Sequence, residues 1–163
     1  MGFADPDLSR DAFLGGRVMA WQPRRGYRAA TDPVFLAAGT EVTPGQSVLD
    51  LGCGVGVASL CLSARLPGLS ITGVERQAVY ADLARRNAAE AAAPLEVVTA
   101  DLTDLPAALR RRSFDHVIAN PPYFAPGAGP AAADPGREAA LREETPMAQW
   151  AETARRRLAP NCR

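Results

Sequence analysis

Between Ser47 and Asn120 the chain alternates apolar runs with helical stretches four times, and each apolar run ends on a glycine, an acid or an asparagine. This alternation leaves few ways to pack: parallel strands joined by right-handed helical crossovers, with helices on both faces of one sheet. The expected strands are 47–51, 69–75, 95–101 and 114–120. Between them the pattern predicts helices over 57–66, 76–93 and 105–112, the first two closed by Pro67-Gly68 and Pro94. The fold class is therefore α/β, a three-layer sandwich. A last helix is expected over 147–158, opened by Pro146, and the Gly/Ala/Pro-rich stretch 123–136 reads as a loop.

Upstream of the alternation, residues 1–45 read as a polar leader containing one short helix. Thr31 or Asp32 stands at its start as a cap, with Pro33 in its first turn. Residues 46–163 make up the main domain. A chain of 163 residues with 47% hydrophobic content is one domain's worth with a real core. No apolar run reaches the roughly 18 residues of a membrane span, and the acidic start has no signal-peptide core, so a cytoplasmic protein with no membrane contact is expected. Three cysteines form no C-x-x-C pair and there is a single histidine, so no metal site is expected. Net charge is zero, which excludes the global field of a dedicated nucleic-acid binder. All 18 basic residues are arginine, a compositional bias before it is a chemical signal.

Ligands of an open α/β sheet sit at the carboxyl ends of its strands, so the residues ending each strand carry the functional reading. The first strand ends in Asp50-Leu51-Gly52-Cys53-Gly54-Val55-Gly56. Its glycines allow a tight turn and close approach of a ligand, and the following helix points N–H groups at that place. A dinucleotide fingerprint would need glycine at Val57, which weakens an NAD reading. The second strand ends in Glu75, able to accept both hydroxyls of a ribose, and the third in Asp101, able to accept from an adenine amino group. The fourth ends in Asn120-Pro121-Pro122-Tyr123-Phe124. The prolines stop the strand, and what they leave is rich in acceptors, the Asn120 amide oxygen and the proline carbonyls, beside an aromatic ring. That set suits a planar amino group, and a plain strand-ending turn uses the same residues.

The four strand ends together resemble those of class I S-adenosylmethionine-dependent methyltransferases carrying the N-P-P-Y signature. From WQPRRGYRAATDPVFLAA through NPPYF to the final helix, the chain is similar to the tRNA(Val) adenine-N6 methyltransferases. The resemblance implies a Rossmann-like class I fold with strands in the order 3-2-1-4. It implies S-adenosyl-L-methionine as cofactor: Asp50, Gly52, Gly54 and Gly56 at its methionine part, Glu75 at the ribose and Asp101 at the adenine, with Cys53, Arg76, Leu102 and Asn120 also in contact. Asn120, Pro121, Pro122 and Tyr123 are the implied catalytic residues, holding an exocyclic N6 amine of a tRNA adenine. Arg28, Thr31, Asp32 and Phe124 are implied on the substrate side, with helix capping an equal account of Thr31 and Asp32. Two acceptors suit such an amine, whose lone pair is delocalised into the ring, and Tyr123 can stack on the base. Alignment of nitrogen, methyl and sulfur then carries the rate.

Other segments have plainer readings. His116 lies inside the fourth strand and is structural. Arg24, Arg25 and Arg28 with Trp21 and Tyr27 could meet phosphates and bases of a single-stranded RNA loop or form a solvated surface. The family's sheet has seven strands, and this sequence reaches Arg163 with the last three missing. The fourth strand is then expected at an edge, available for self-association. Protein glutamine N5-methylation and rRNA amino-methylation are alternatives within the enzymes. A non-catalytic S-adenosylmethionine-binding module is the alternative outside them.

Overall fold

The computed structural model of the chain describes residues 2–121 and 145–160. It opens on an antiparallel hairpin, β1 (Leu8–Phe13) and β2 (Val18–Pro23), with Leu8 opposite Pro23 and Phe13 opposite Val18. The sequence reading assigned no strands there. Gly15 and Gly16, at φ +64° and +89°, make the turn between them, and Leu8, Val18 and Ala20 are buried in the main core. The hairpin is thus packed on the domain that follows. Helix α1 (Asp32–Gly39) comes next. Thr31 stands before it as expected, but no side-chain capping bond forms; its backbone carbonyl accepts from the N–H groups of Val34 and Phe35.

The alternation then proceeds through β3 (Ser47–Leu51), α2 (Val57–Arg65), β4 (Ser70–Glu75), α3 (Ala78–Glu90), β5 (Leu95–Thr99), α4 (Ala107–Arg110), β6 (His116–Ala119) and α5 (Met147–Arg157). The strands form one parallel sheet in the order β5-β4-β3-β6, which is the expected 3-2-1-4. Several elements are shorter than the sequence predicts, among them α3, α4, β5 and β6. Phe114 lies outside β6, joined to Leu158 by an isolated parallel bridge, and Asp101 lies in the loop beyond β5.

Central strand β3 is buried on both faces, as parallel sheets between helical layers are. Its alternating side chains separate the two cores. Val48 packs with α2, α3 and the hairpin through Leu60, Leu83 and Val18. Leu49 and Leu51 pack on the other face with Leu109 of α4 and Trp150 of α5. Residues Val57 to Leu62 of α2 are all buried, so this helix has no solvent face along its first six residues. The pairing register sets Leu51 beside Val74 and Ala119, and Glu75 beside Thr99, which brings all four carboxyl ends to one rim. No helix among the described residues is long and apolar enough to cross a membrane.

Candidate functional site

A cavity opens on that rim, and its wall includes Asp50, Gly52, Cys53, Gly54, Glu75, Arg76, Asp101, Leu102, Asn120 and Pro121. Ten of the residues singled out in the sequence therefore meet in one place, drawn from four strand ends. Of the others, Gly56, Arg28, Thr31 and Asp32 do not line it. Gly56, at φ +89°, forms the cap position of α2, and a side chain there would come within 3.2 Å of Leu95, so its part is in the turn. Arg28 faces the hairpin, donating to Asp11, to the Ser9 hydroxyl and to the Pro23 carbonyl. Thr31 and Asp32 stand at the start of α1 and do not line the cavity, although Ala29 and Pro33 beside them do. Pro122, Tyr123 and Phe124 lie outside the described residues.

The floor of the cavity is acidic. Asp50 is 2% exposed and Glu75 8% exposed, and neither forms an ion pair among the described residues. Burial pushes the Asp50 carboxyl up to about 7, with the Glu75 charge adding to the rise and a 2.7 Å hydrogen bond from the Ser59 hydroxyl opposing it. Burial also raises Glu75, held back by the N–H groups of Gln77 and Gly54, which donate at 2.8 and 3.0 Å. Those two bonds tie the end of β4 to the glycine turn. Cys53 is buried under the same influences, its thiol pushed well above the usual range by burial first and by Asp50 and Glu75 next. Asp101 differs: the Thr103 N–H and hydroxyl donate to its Oδ1 at 2.8 and 2.7 Å, and its carboxyl lies below the usual value.

Among the further wall residues, Gln77, Tyr80, Thr145 and Trp150 have no place in the sequence analysis, and Tyr27 figures there only in a stretch read as RNA-facing or solvated. Tyr27 stands over Gly54, and its N–H donates to the Tyr80 hydroxyl at 2.9 Å. Gln77, Thr145 and Trp150 complete this part of the wall. The Trp150 ring lies so close to Gly52 that a β-carbon there would sit 2.7 Å from its Cη2. Its indole N–H is buried with no partner among the described residues. Spacing gives no signal for Trp150, which reaches Gly52 across nearly 100 positions of sequence; for Tyr80 a signal exists, its place on the buried face of α3 with Leu83, Ala84 and Asn87.

Asn87 of α3 joins the hairpin to the glycine turn. Asn87 Oδ1 accepts from the Trp21 N–H at 2.7 Å, while its Nδ2 donates to the carbonyls of Trp21 and Val55, both at 3.0 Å. The arginine-rich stretch beside Trp21 is not one patch: Trp21 lies under Arg86 with its indole N–H on Glu90, Tyr27 joins the cavity, and Arg24 and Arg25 are exposed. His116 has the structural role expected, paired with Gln46 at 3.0 Å.

A family model, the methyltransferase small domain, matches residues 33–133. The chain belongs to this family. Among curated relatives it is 36% identical to a tRNA1(Val) (adenine(37)-N6)-methyltransferase of Shewanella amazonensis, over 69% of this chain and 47% of that protein. It is 34% identical to the protein of the same name from Yersinia enterocolitica, over 74% and 49%. This methyltransferase small domain chain spans about half the length of the curated relatives it matches. Solved structures agree on the fold. A SAM-dependent methyltransferase from Agrobacterium tumefaciens superposes with a TM-score of 0.64 at 19% identity, covering 98% of this chain and 51% of its own. A Pyrococcus abyssi tRNA (uracil-54, C5)-methyltransferase, bound to S-adenosyl-L-homocysteine, gives 0.55 at 20% identity, over 83% and 31%.

Proposed function

We propose that this chain is the cofactor-binding part of an S-adenosylmethionine-dependent N-methyltransferase that acts on the exocyclic N6 of a tRNA adenine. The observation that carries the reading is the pair of buried acids, Asp50 and Glu75, neither in an ion pair among the described residues and only Glu75 under the influence of a cation, Arg76, on a floor whose rim ends in Asn120 and Pro121. Burying an acid without a cationic partner costs several kcal/mol, and Asp50, which has none among the described residues, suits a ligand bringing positive charge. S-adenosylmethionine does so, through its ammonium and sulfonium centres, and supplies an activated methyl group. The glycines fit it as well, since the turn at Gly52 leaves backbone where any side chain would meet Trp150.

In this reading the residues bind and orient. Asp50 meets the ammonium end; Glu75, fixed by Gly54 and Gln77, meets the ribose; Asp101 and Leu102 meet the adenine of the donor. Asn120 and the Pro121 carbonyl accept from the two N–H groups of the target amine, so that its nitrogen faces the methyl group. Such alignment is worth up to roughly 7–11 kcal/mol of a barrier, and the chemistry asks for no strong base. The relatives' names support tRNA as the substrate and N6 of adenine as the atom.

The test has two parts. Calorimetry should show S-adenosylhomocysteine binding to the chain; no binding would remove the donor site. Labelled methyl from S-adenosylmethionine should then appear in tRNA as N6-methyladenine, and Asn120→Ala should lower the rate by about 100-fold, the scale for losing one positioned polar group at a reacting centre. Equal rates would take Asn120 out of the mechanism, and label entering a release factor instead would replace the substrate.

A further inference from the structure

Ser59 is wholly buried in the first turn of α2, beneath the cavity floor, and belongs to none of the motifs that mark this site. Its hydroxyl donates across to β3, 2.7 Å from Asp50 Oδ2, rather than remaining exposed to solvent. It takes one oxygen of a carboxylate that is 2% exposed, and Asp50 also lines the cavity.

We propose that Ser59 is a positioning residue of the donor site, holding the Asp50 carboxylate for the ammonium end of a bound S-adenosylmethionine. The inference rests on the donor reading given above. Around Asp50 no other group among the described residues supports its charge. Glu75 approaches from the end of β4 with a charge of the same sign; the Cys53 thiol of the glycine turn is held protonated; the strand partners of Asp50, Gly73 and Ile118, bring no charge; no basic residue among the described ones pairs with it. The Ser59 hydroxyl is the donor that favours the ionised form, against burial and Glu75. A neutral Asp50 has nothing to offer an ammonium group beyond a weak hydrogen bond. Ser59 thus acts on the ligand through Asp50, without touching it.

The experiment compares wild type, Ser59→Ala and Ser59→Cys, each checked for a native melting transition; the cysteine variant keeps the volume should alanine fail to fold. In the ligand-free chain the Asp50 carboxyl carbon, followed by NMR, titrates at higher pH in Ser59→Ala than in wild type. By calorimetry S-adenosylhomocysteine binds about tenfold more weakly to Ser59→Ala at pH 7, the scale of a hydrogen bond to a charged group, and the gap narrows towards pH 9 as Asp50 ionises unaided. Ser59→Cys, with a weak donor, falls between. An Asp50 titration unmoved by Ser59→Ala, or an affinity loss equal at pH 7 and pH 9, overturns the inference. Absence of S-adenosylhomocysteine binding by wild type is a separate result, which sinks the donor reading itself, while the ligand-free titration still decides whether Ser59 governs Asp50.

Discussion

Substituting alanine for Gly52 tests how the cavity is built, and its cost can be divided in advance. Gly52 has φ +68°, and a side chain there meets the Trp150 ring at 2.7 Å. The left-handed backbone alone costs an alanine about 1–2 kcal/mol. The clash adds about 1–3 kcal/mol, because Trp150 is 6% exposed and packed against Leu51 and Leu102, so its ring cannot step aside without disturbing the core. The sum is about 2–5 kcal/mol, or a melting temperature lower by roughly 4–20 °C for a chain of this size. Gly15 supplies the control. It has nearly the same φ, +64°, with nothing within 4 Å of the added carbon, so Gly15→Ala should show the backbone part alone. Urea unfolding of both variants gives the difference. Trp150→Leu, costly by itself, should remove most of the extra penalty of Gly52→Ala in a double-mutant cycle, with a coupling of about 1–3 kcal/mol. The reasoning fails if Gly52→Ala is no worse than Gly15→Ala, or if its cost is unchanged when Trp150 is leucine.

Two further outcomes follow from the same packing. Asp50 in the ligand-free chain keeps its proton up to about pH 7, whereas the unfolded chain releases it near pH 4, so the folded state binds more protons across that window and Asp50 makes stability fall as pH rises through it. Asp50→Asn should therefore gain stability over wild type between pH 4 and 8, reaching a few kcal/mol at the upper end by urea unfolding at each pH, while losing S-adenosylhomocysteine binding. Asn87→Ala removes bonds to Trp21 and Val55 and leaves their backbone groups short of partners, a loss of about 2–4 kcal/mol; hydrogen exchange should speed up in β2 and in the glycine turn together, and protection lost in only one of them would contradict a shared anchor.

The sheet order and the rim were legible because their signals are local. Each strand of the alternation carries its own terminator, Gly52, Glu75, Asp101 or Asn120, and parallel pairing then has one economical arrangement. The hairpin was not read, since LSRDAF places Ser9, Arg10 and Asp11 in a row and shows little apolar alternation; Gly15-Gly16 beyond it was the available turn signal. Arg28 was placed on the substrate side by resemblance, and in the structure its guanidinium is taken up by Asp11 and the hairpin backbone. Trp150 and Ser59 could not be found by spacing, because what matters in each is a partner brought close only by folding: Gly52 for one, Asp50 for the other.

The unbroken burial from Val57 to Leu62 bears on how such a chain can vary. A helix lying on a surface keeps one stripe where drift is harmless, but α2 is enclosed by the sheet, α1 and the hairpin and has no stripe to spare over this stretch. Tags, dyes and cross-linkers belong elsewhere, on the outer sides of α3 and α5, and the tolerance of this protein to change should show a gap six residues wide immediately after its glycine turn.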